Sequence, residues 1–189
     1  MKISRKVLTF LKISIFIVIA FSLINISPIH AQATAAGEAT ATVLTGLTVT
    51  AVQNLDFGNV LQGVAKNVAN ADGVNAGVFS VGGEPNSGIS CFLSLPEYLA
   101  TNVAPLAEDR MVIVFDIDDC SIDNTGNLDP ASFGAGFLNI NPHALPGGIT
   151  IGATGITAIF IGGRVIPTVN QQAGVYTGLI ILTVAYDGT

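Results

Sequence analysis

From Gly174 to Tyr186 the chain reads Gly-Val-Tyr-Thr-Gly-Leu-Ile-Ile-Leu-Thr-Val-Ala-Tyr, and its polar and apolar positions alternate rather than recur every third or fourth residue. Successive side chains of an extended chain face opposite ways, so Tyr176, Ile180, Leu182, Val184 and Tyr186 share one face. Val175, Thr177, Leu179, Ile181, Thr183 and Ala185 share the other. β-branched and aromatic residues crowd the run and no capping residue opens it, which argues against a helix. The first face is apolar from Ile180 onward and the second is mixed. The pattern predicts a strand that closes a β-core and is partly covered on its outer side.

The same alternation recurs upstream. Ala39, Ala41 and Val43 oppose Thr40 and Thr42, and after Gly46 the series resumes with Leu47, Val49 and Ala51 against Thr48 and Thr50. This predicts two strands, or one long strand broken at Gly46. Leu55 and Phe57 fall on one face before a turn at Gly58-Asn59, and the polar stretch 66–73 ends in the turn dipeptide Asp72-Gly73. Strands are expected over 74–81, 89–95, 133–140, 149–151, 156–161 and 165–169, with Pro96 stopping the second of these. Met111 to Phe115 is apolar at every position, the mark of a central strand buried on both faces. The segments 82–88, 101–109 and 142–148 read as connections, and Gly162-Gly163 as a turn. Eight to ten short strands with no amphipathic helix predict an all-β fold, an antiparallel β-sandwich or barrel.

The amino terminus follows a different pattern. Lys2, Arg5, Lys6 and Lys12 precede an almost continuous apolar run from Ile13 to Ile26, then Pro28 and small residues. This is the layout of an export signal over residues 1–31, cleaved after Ala31 or after Ala33; the rival reading is an uncleaved anchor helix. Residues 32–37 then form a short flexible leader, and 38–189 one domain large enough for its own core. Removal of the signal leaves three cations, Lys66, Arg110 and Arg164, against thirteen acids, a formal charge of −10. Nucleic acid and anionic lipid are poor partners for such a surface, and contact with a membrane is expected only through the signal. The chain is expected outside the cytoplasm, in the periplasm, at the cell surface or beyond it. In that setting Cys91 and Cys120 predict a disulfide closing a loop of about 30 residues, with a stabilisation of roughly 3 to 4 kcal/mol.

Candidate chemistry is sparse. The exported part keeps one histidine, His143, between two prolines, so no base stands ready for a nucleophile. It has no Trp and three Tyr, little from which to build a sugar cleft around paired carboxylates. No GxxxxGK[ST] or HExxH motif is present. These absences point away from an enzyme and from any bound cofactor. Asp116, Asp118, Asp119, Asp123 and Asp129, with Asn124 and Asn127, gather oxygen ligands of the type Ca²⁺ takes. Their spacing is not that of an EF-hand, because Gly126 as sixth loop residue would place Ser121 first. A weak Ca²⁺ site and a solvated acidic turn both remain open.

Gly174 and Tyr186 stand twelve residues apart on the last strand, with Tyr176 and Gly178 between them. That arrangement resembles the carboxy-terminal motif of chaperone-usher pilins, although three residues rather than about one follow the final Tyr here. Together with Leu55-Asp56-Phe57-Gly58, Val78-Phe79-Ser80-Val81-Gly82 and Ile159-Phe160-Ile161-Gly162-Gly163, it makes residues 38–186 similar to the domain of unknown function 4402 family, a relative of spore-coat-U and pilin-type proteins. The cysteine pair and the aspartate-rich insert lie outside that pattern. The resemblance implies an immunoglobulin-like, pilin-like sandwich that is a structural or adhesive surface subunit. It implies self-assembly or assembly with related subunits, a periplasmic chaperone as partner, and strand donation as the means. Ala39, Ala41 and Val43 are the candidate donor strand; an ordinary first strand of their own domain is the alternative. The functional rival is a monomeric binding module that uses the aspartate-rich loop.

Overall fold

The computed structural model describes residues 38, 40, 41, 43–101 and 110–188. The chain divides into two units, residues 1–41 and 42–189. Of the first, only Glu38, Thr40 and Ala41 are described, all exposed. The expected signal, the leader, Ala39 and most of the 101–109 connection lie outside the described residues. No helix among the described residues is long and apolar enough to cross a membrane.

All the strands belong to the second unit. In chain order they are β1 (Thr48–Gln53), β2 (Lys66–Val68), β3 (Gly77–Gly82), β4 (Gly88–Ser94), β5 (Tyr98–Ala100), β6 (Arg110–Val114), β7 (Cys120–Asp123), β8 (Gly136–Ile140), β9 (Ile149–Thr150), β10 (Ile156–Ile161), β11 (Gly163–Ile166) and β12 (Ile181–Tyr186). A 3₁₀ turn at Pro130–Ser132, capped by Asp129, is the helical element described. Every pairing among these strands is antiparallel. They form a five-stranded sheet in the order β1-β3-β10-β7-β8, a four-stranded sheet β2-β11-β6-β5 and a three-stranded sheet β12-β4-β9. The fold is therefore all-β, and its layout is consistent with a β-sandwich.

One apolar core joins the three sheets. Val81, Ile122, Ile159 and Ile161 enter from the first, Val68, Ile113 and Val165 from the second, and Ile89, Leu93, Ile149 and Leu182 from the third. At about 1.5 to 3 kcal/mol for each fully buried large aliphatic side chain, this shared core is the main source of stability. The last strand keeps the alternation read from sequence: Tyr176, Ile180, Val184 and Tyr186 are half-buried and Leu182 is buried, while Thr177, Leu179, Ile181, Thr183 and Ala185 are exposed. Its outer face is open rather than partly covered.

Three expectations are corrected by tertiary context. Met111 to Phe115 is not buried on both faces, because β6 lies one strand from the sheet edge and Val112 faces outward, 39 % exposed. A longer strand enclosed on both faces is β10, buried from Thr157 to Ile161, whose outer residues Ala158 and Phe160 join Val78 under Leu128 and Phe133 in a second small cluster. The stretch Asp116 to Pro130 is not wholly a turn. Cys120 and Ile122 reach the core, and the polar residues of β7 are buried with hydrogen-bond partners, Ser121 accepting from the Asn139 N–H at 3.1 Å. Gly162-Gly163 does not reverse the chain; it carries the strand from the five-stranded sheet, as β10, into the four-stranded one, as β11. A Cβ on Gly162 would stand 2.5 Å from the Val68 carbonyl and 2.6 Å from the Asn70 nitrogen, so only glycine fits at the crossing.

The expected disulfide is likewise not formed. Cys91 and Cys120 are free, one on β4 and one on β7, and they meet the same core from different sheets. Burial pushes the Cys91 thiol up to about 11. It pushes the Cys120 thiol up to about 12, with smaller contributions from the nearby Cys91 and Asp119. Desolvation thus holds both sulfurs in the protonated state, which does not attack to form a bond. Smaller shifts also occur. Residues 43–47 are not strand, so β1 begins at Thr48, and the polar stretch after Lys66 opens with the short strand β2 because Val68 is buried.

Candidate functional site

Among the described residues six strands stand at a sheet end, β1 and β12 among them. β1 pairs only with β3, and β12 only with β4, so each stands at the end of its sheet. Ahead of β12 the chain keeps its extended course, and Thr177 bridges Ala100 through N–H to O=C bonds of 2.8 and 3.0 Å. Between β1 and the segment ahead of β12 runs a groove of about 1060 Å³. Ala51 and Gln53 of β1 and residues 54–62 line one flank, and residues 171–180 the other. Phe79, Leu99, Met111, Ile113 and Val165 also line it. Leu61, Val175 and Leu179 on the rim are 72, 81 and 72 % exposed, a degree of apolar exposure that marks an interaction surface when it clusters at a groove.

The flank formed by residues 171–180 is anchored by Gln171, itself 3 % exposed. Its Nε2 donates to the Arg110 carbonyl at 3.0 Å and to the Tyr176 hydroxyl at 2.8 Å. Its Oε1 accepts from the Thr168 N–H at 3.2 Å, and its own carbonyl accepts from Gln62 Nε2 at 2.5 Å. Tyr176 in turn donates to the Gln172 carbonyl at 2.7 Å. The lead-in to the last strand is thereby pinned across the groove, from the 54–62 side to β6. Gly178 permits close approach, since a Cβ there would lie 2.7 Å from Leu99 Cδ2. Gly174 meets no such crowding, with Thr101 Cγ2 at an ordinary 3.4 Å.

Tyr186, the far end of the motif, stands away from the groove. Its hydroxyl accepts from the Glu84 N–H at 2.7 Å and donates to the Thr45 carbonyl at 2.6 Å. The Gly174–Tyr186 motif therefore spans two structural tasks, the groove flank at one end and a tether on residue 45 at the other. Of the candidate donor residues, Ala41 is exposed and Val43 is 93 % exposed, outside any strand.

The aspartates sit apart from the groove and have internal duties. Asp123, 0 % exposed, accepts from the Thr125 N–H at 2.7 Å, the Thr125 hydroxyl at 2.6 Å and the Gly134 N–H at 2.5 Å. Burial alone would push its carboxyl up; these hydrogen bonds outweigh it and hold the group below the usual carboxylate range. Asp119, buried, accepts from the Asp116 N–H at 2.7 Å, and here desolvation wins, pushing the carboxyl up. Asp116 lies 3.5 Å from Arg164, an exposed ion pair. Asp129 caps the 3₁₀ turn through the Ala131 N–H at 3.0 Å, and Asp118 is exposed. Among the described residues no three His, Cys, Asp or Glu side chains gather so as to hold a metal ion. His143 is exposed, with Nε2 3.2 Å from the Phe115 carbonyl and its ring edge-on to Phe115.

Sequence reasoning did not single out Gln171, Glu84 or Thr45. Gln171 lies in a polar Asn-Gln-Gln run that reads as loop, and no spacing rule flags a residue whose side chain and carbonyl have partners 61 and 109 residues away. Comparison with protein-family models, with curated proteins and with solved structures found no match in any of the three.

Proposed function

We propose that the chain is an exported, non-enzymatic structural or adhesive surface subunit with an immunoglobulin-like, pilin-like sandwich, and that copies assemble by strand donation. The observation that carries this reading is the groove, a largely apolar trough with the open edge of β1 on one flank and the segment 171–180 on the other. Such a trough takes an extended segment as an added strand: main-chain groups bond to the open edge of β1 and every second side chain enters the floor. Covering Leu61, Val175 and Leu179 would contribute about 1.5 to 3 kcal/mol each, offset in part by the cost of association. The donor is the segment of another copy that contains Ala39, Ala41 and Val43, whose alternating side chains are small. A related subunit or a periplasmic chaperone would use the same edge before assembly.

Deletion of residues 32–42 tests the reading. The truncated protein is expected to remain folded and monomeric, whereas the intact chain forms multimers that survive as a ladder on a denaturing gel without boiling. Undiminished assembly of the truncated protein would rule out donation from that segment.

A further inference from the structure

The donation reading leaves one physical difficulty. A donor segment joined to its own domain competes for its own groove at an effective concentration of roughly millimolar, far above that of other copies. Assembly between copies requires that this internal route be blocked. Thr45, three residues before β1, is held in a manner suited to that task. Its N–H and its hydroxyl both donate to Glu84 Oε2, at 3.2 and 2.6 Å, and its carbonyl accepts from the Tyr186 hydroxyl at 2.6 Å. The Glu84 N–H closes the set by donating to that same hydroxyl at 2.7 Å. Both backbone groups of Thr45 are therefore occupied by side chains and cannot extend the ladder of β1, in keeping with the absence of strand over 43–47. Gly83 makes room for the arrangement, since a Cβ there would lie 2.7 Å from the Tyr186 hydroxyl and 2.9 Å from Leu47 Cδ2.

The location matters as much as the bonding. β1 runs from Thr48, opposite Gly82, to Gln53, opposite Val78, and the groove is flanked by the Ala51–Gln53 end. Glu84 and Tyr186 hold Thr45 beyond the opposite end of β1. To lie alongside β1 of its own domain, a donor segment would have to reverse ahead of Thr48, where Gly46 has open space around it.

We propose that Glu84 and Tyr186 form a clamp on Thr45 that prevents this reversal and so directs the donor segment to a second copy. The proposal rests on the donation reading and adds positioning residues remote from the groove. Loss of the clamp leaves the groove intact but lets it be filled from within.

The test compares the full exported chain with its Tyr186→Phe and Glu84→Ala variants, each with and without residues 32–42, using a labelled synthetic peptide of residues 32–45 as probe. The variants that keep residues 32–42 are expected to need at least roughly tenfold higher concentration to form multimers, and to bind the probe at least roughly tenfold more weakly, given several-fold per lost hydrogen bond. With residues 32–42 deleted, wild type and variants are expected to bind the probe equally. A purely structural role would instead weaken the probe in both backgrounds, which overturns the clamp. So does assembly of the variants at the wild-type concentration. If the deleted chain with an intact clamp fails to bind the probe, it is the donation reading itself that falls. Tyr186→Phe keeps the half-buried ring, and Glu84→Ala alters a hydrogen-bonding group that the solvent reaches, so the second variant carries the test if the first is unstable.

Discussion

Replacing Asp123 by alanine gives the sharpest check on the core of this structure, because the side chain is fully enclosed and bonds to two segments of the chain. The carboxylate takes two backbone N–H groups, from Thr125 and Gly134, and the Thr125 hydroxyl, and thereby ties the end of β7 to the chain entering β8. Alanine removes the acceptor of both amides and of the hydroxyl; Thr125 and Gly134 are themselves exposed, so water can take over in part and the cost is about 1 kcal/mol for each bond. A loss of about 3 kcal/mol is expected, a sizeable part of the roughly 5 to 15 kcal/mol that holds a domain folded. At roughly 2 to 4 °C per kcal/mol for a domain of this size, the melting midpoint should drop by about 10 °C. Asp123→Asn keeps one acceptor but turns an amide toward a remaining donor, and should fall between the two. Urea unfolding followed by circular dichroism measures the difference directly. Since the folded carboxyl titrates below its unfolded value of about 3.9, the advantage of wild type is complete at neutral pH. It declines as the pH falls through the folded value. A loss under about 1 kcal/mol at pH 7, or one that does not shrink in acid, would refute the assignment of a charged, satisfied carboxylate.

Two further outcomes follow from the same packing. Gly162→Ala should destabilise by at least about 2 kcal/mol, because its Cβ would meet backbone atoms of Val68, Ala69 and Asn70 that have no rotamer with which to yield; a melting midpoint equal to wild type would sink the sheet-crossing account. With thiols raised to about 11 and about 12 by burial, Cys91 and Cys120 should alkylate at pH 8 at least roughly a hundredfold slower in the native protein than in denaturant, and rapid native labelling would contradict it. Because both folded values lie above the unfolded value of about 8.5, their contribution to stability is full below that pH and is lost as the pH rises toward 11 and 12.

The sequence by itself determined the all-β class and the facing of the last strand. Period-two alternation needs nothing beyond the geometry of an extended chain, and the half-buried and buried positions from Tyr176 to Tyr186 are the ones it names. It also marked the turns at Asp72 and Gly58. The Asp72 carboxylate accepts from the Val74 and Asn75 amides, and Gly58 has φ +56°, both local matters. Burial was decided elsewhere. β6 is apolar throughout yet exposes Val112, while β7 carries Ser121 and Asp123 and is buried at every residue. Which strand lies inside depends on neighbours brought from far along the chain, and a polar side chain is tolerated there once its hydrogen bonds are met. The same holds for the groove and the tether. Gln171, Glu84 and Thr45 acquire their roles only when residues up to 141 positions apart are folded together, a proximity that no local pattern of side chains encodes.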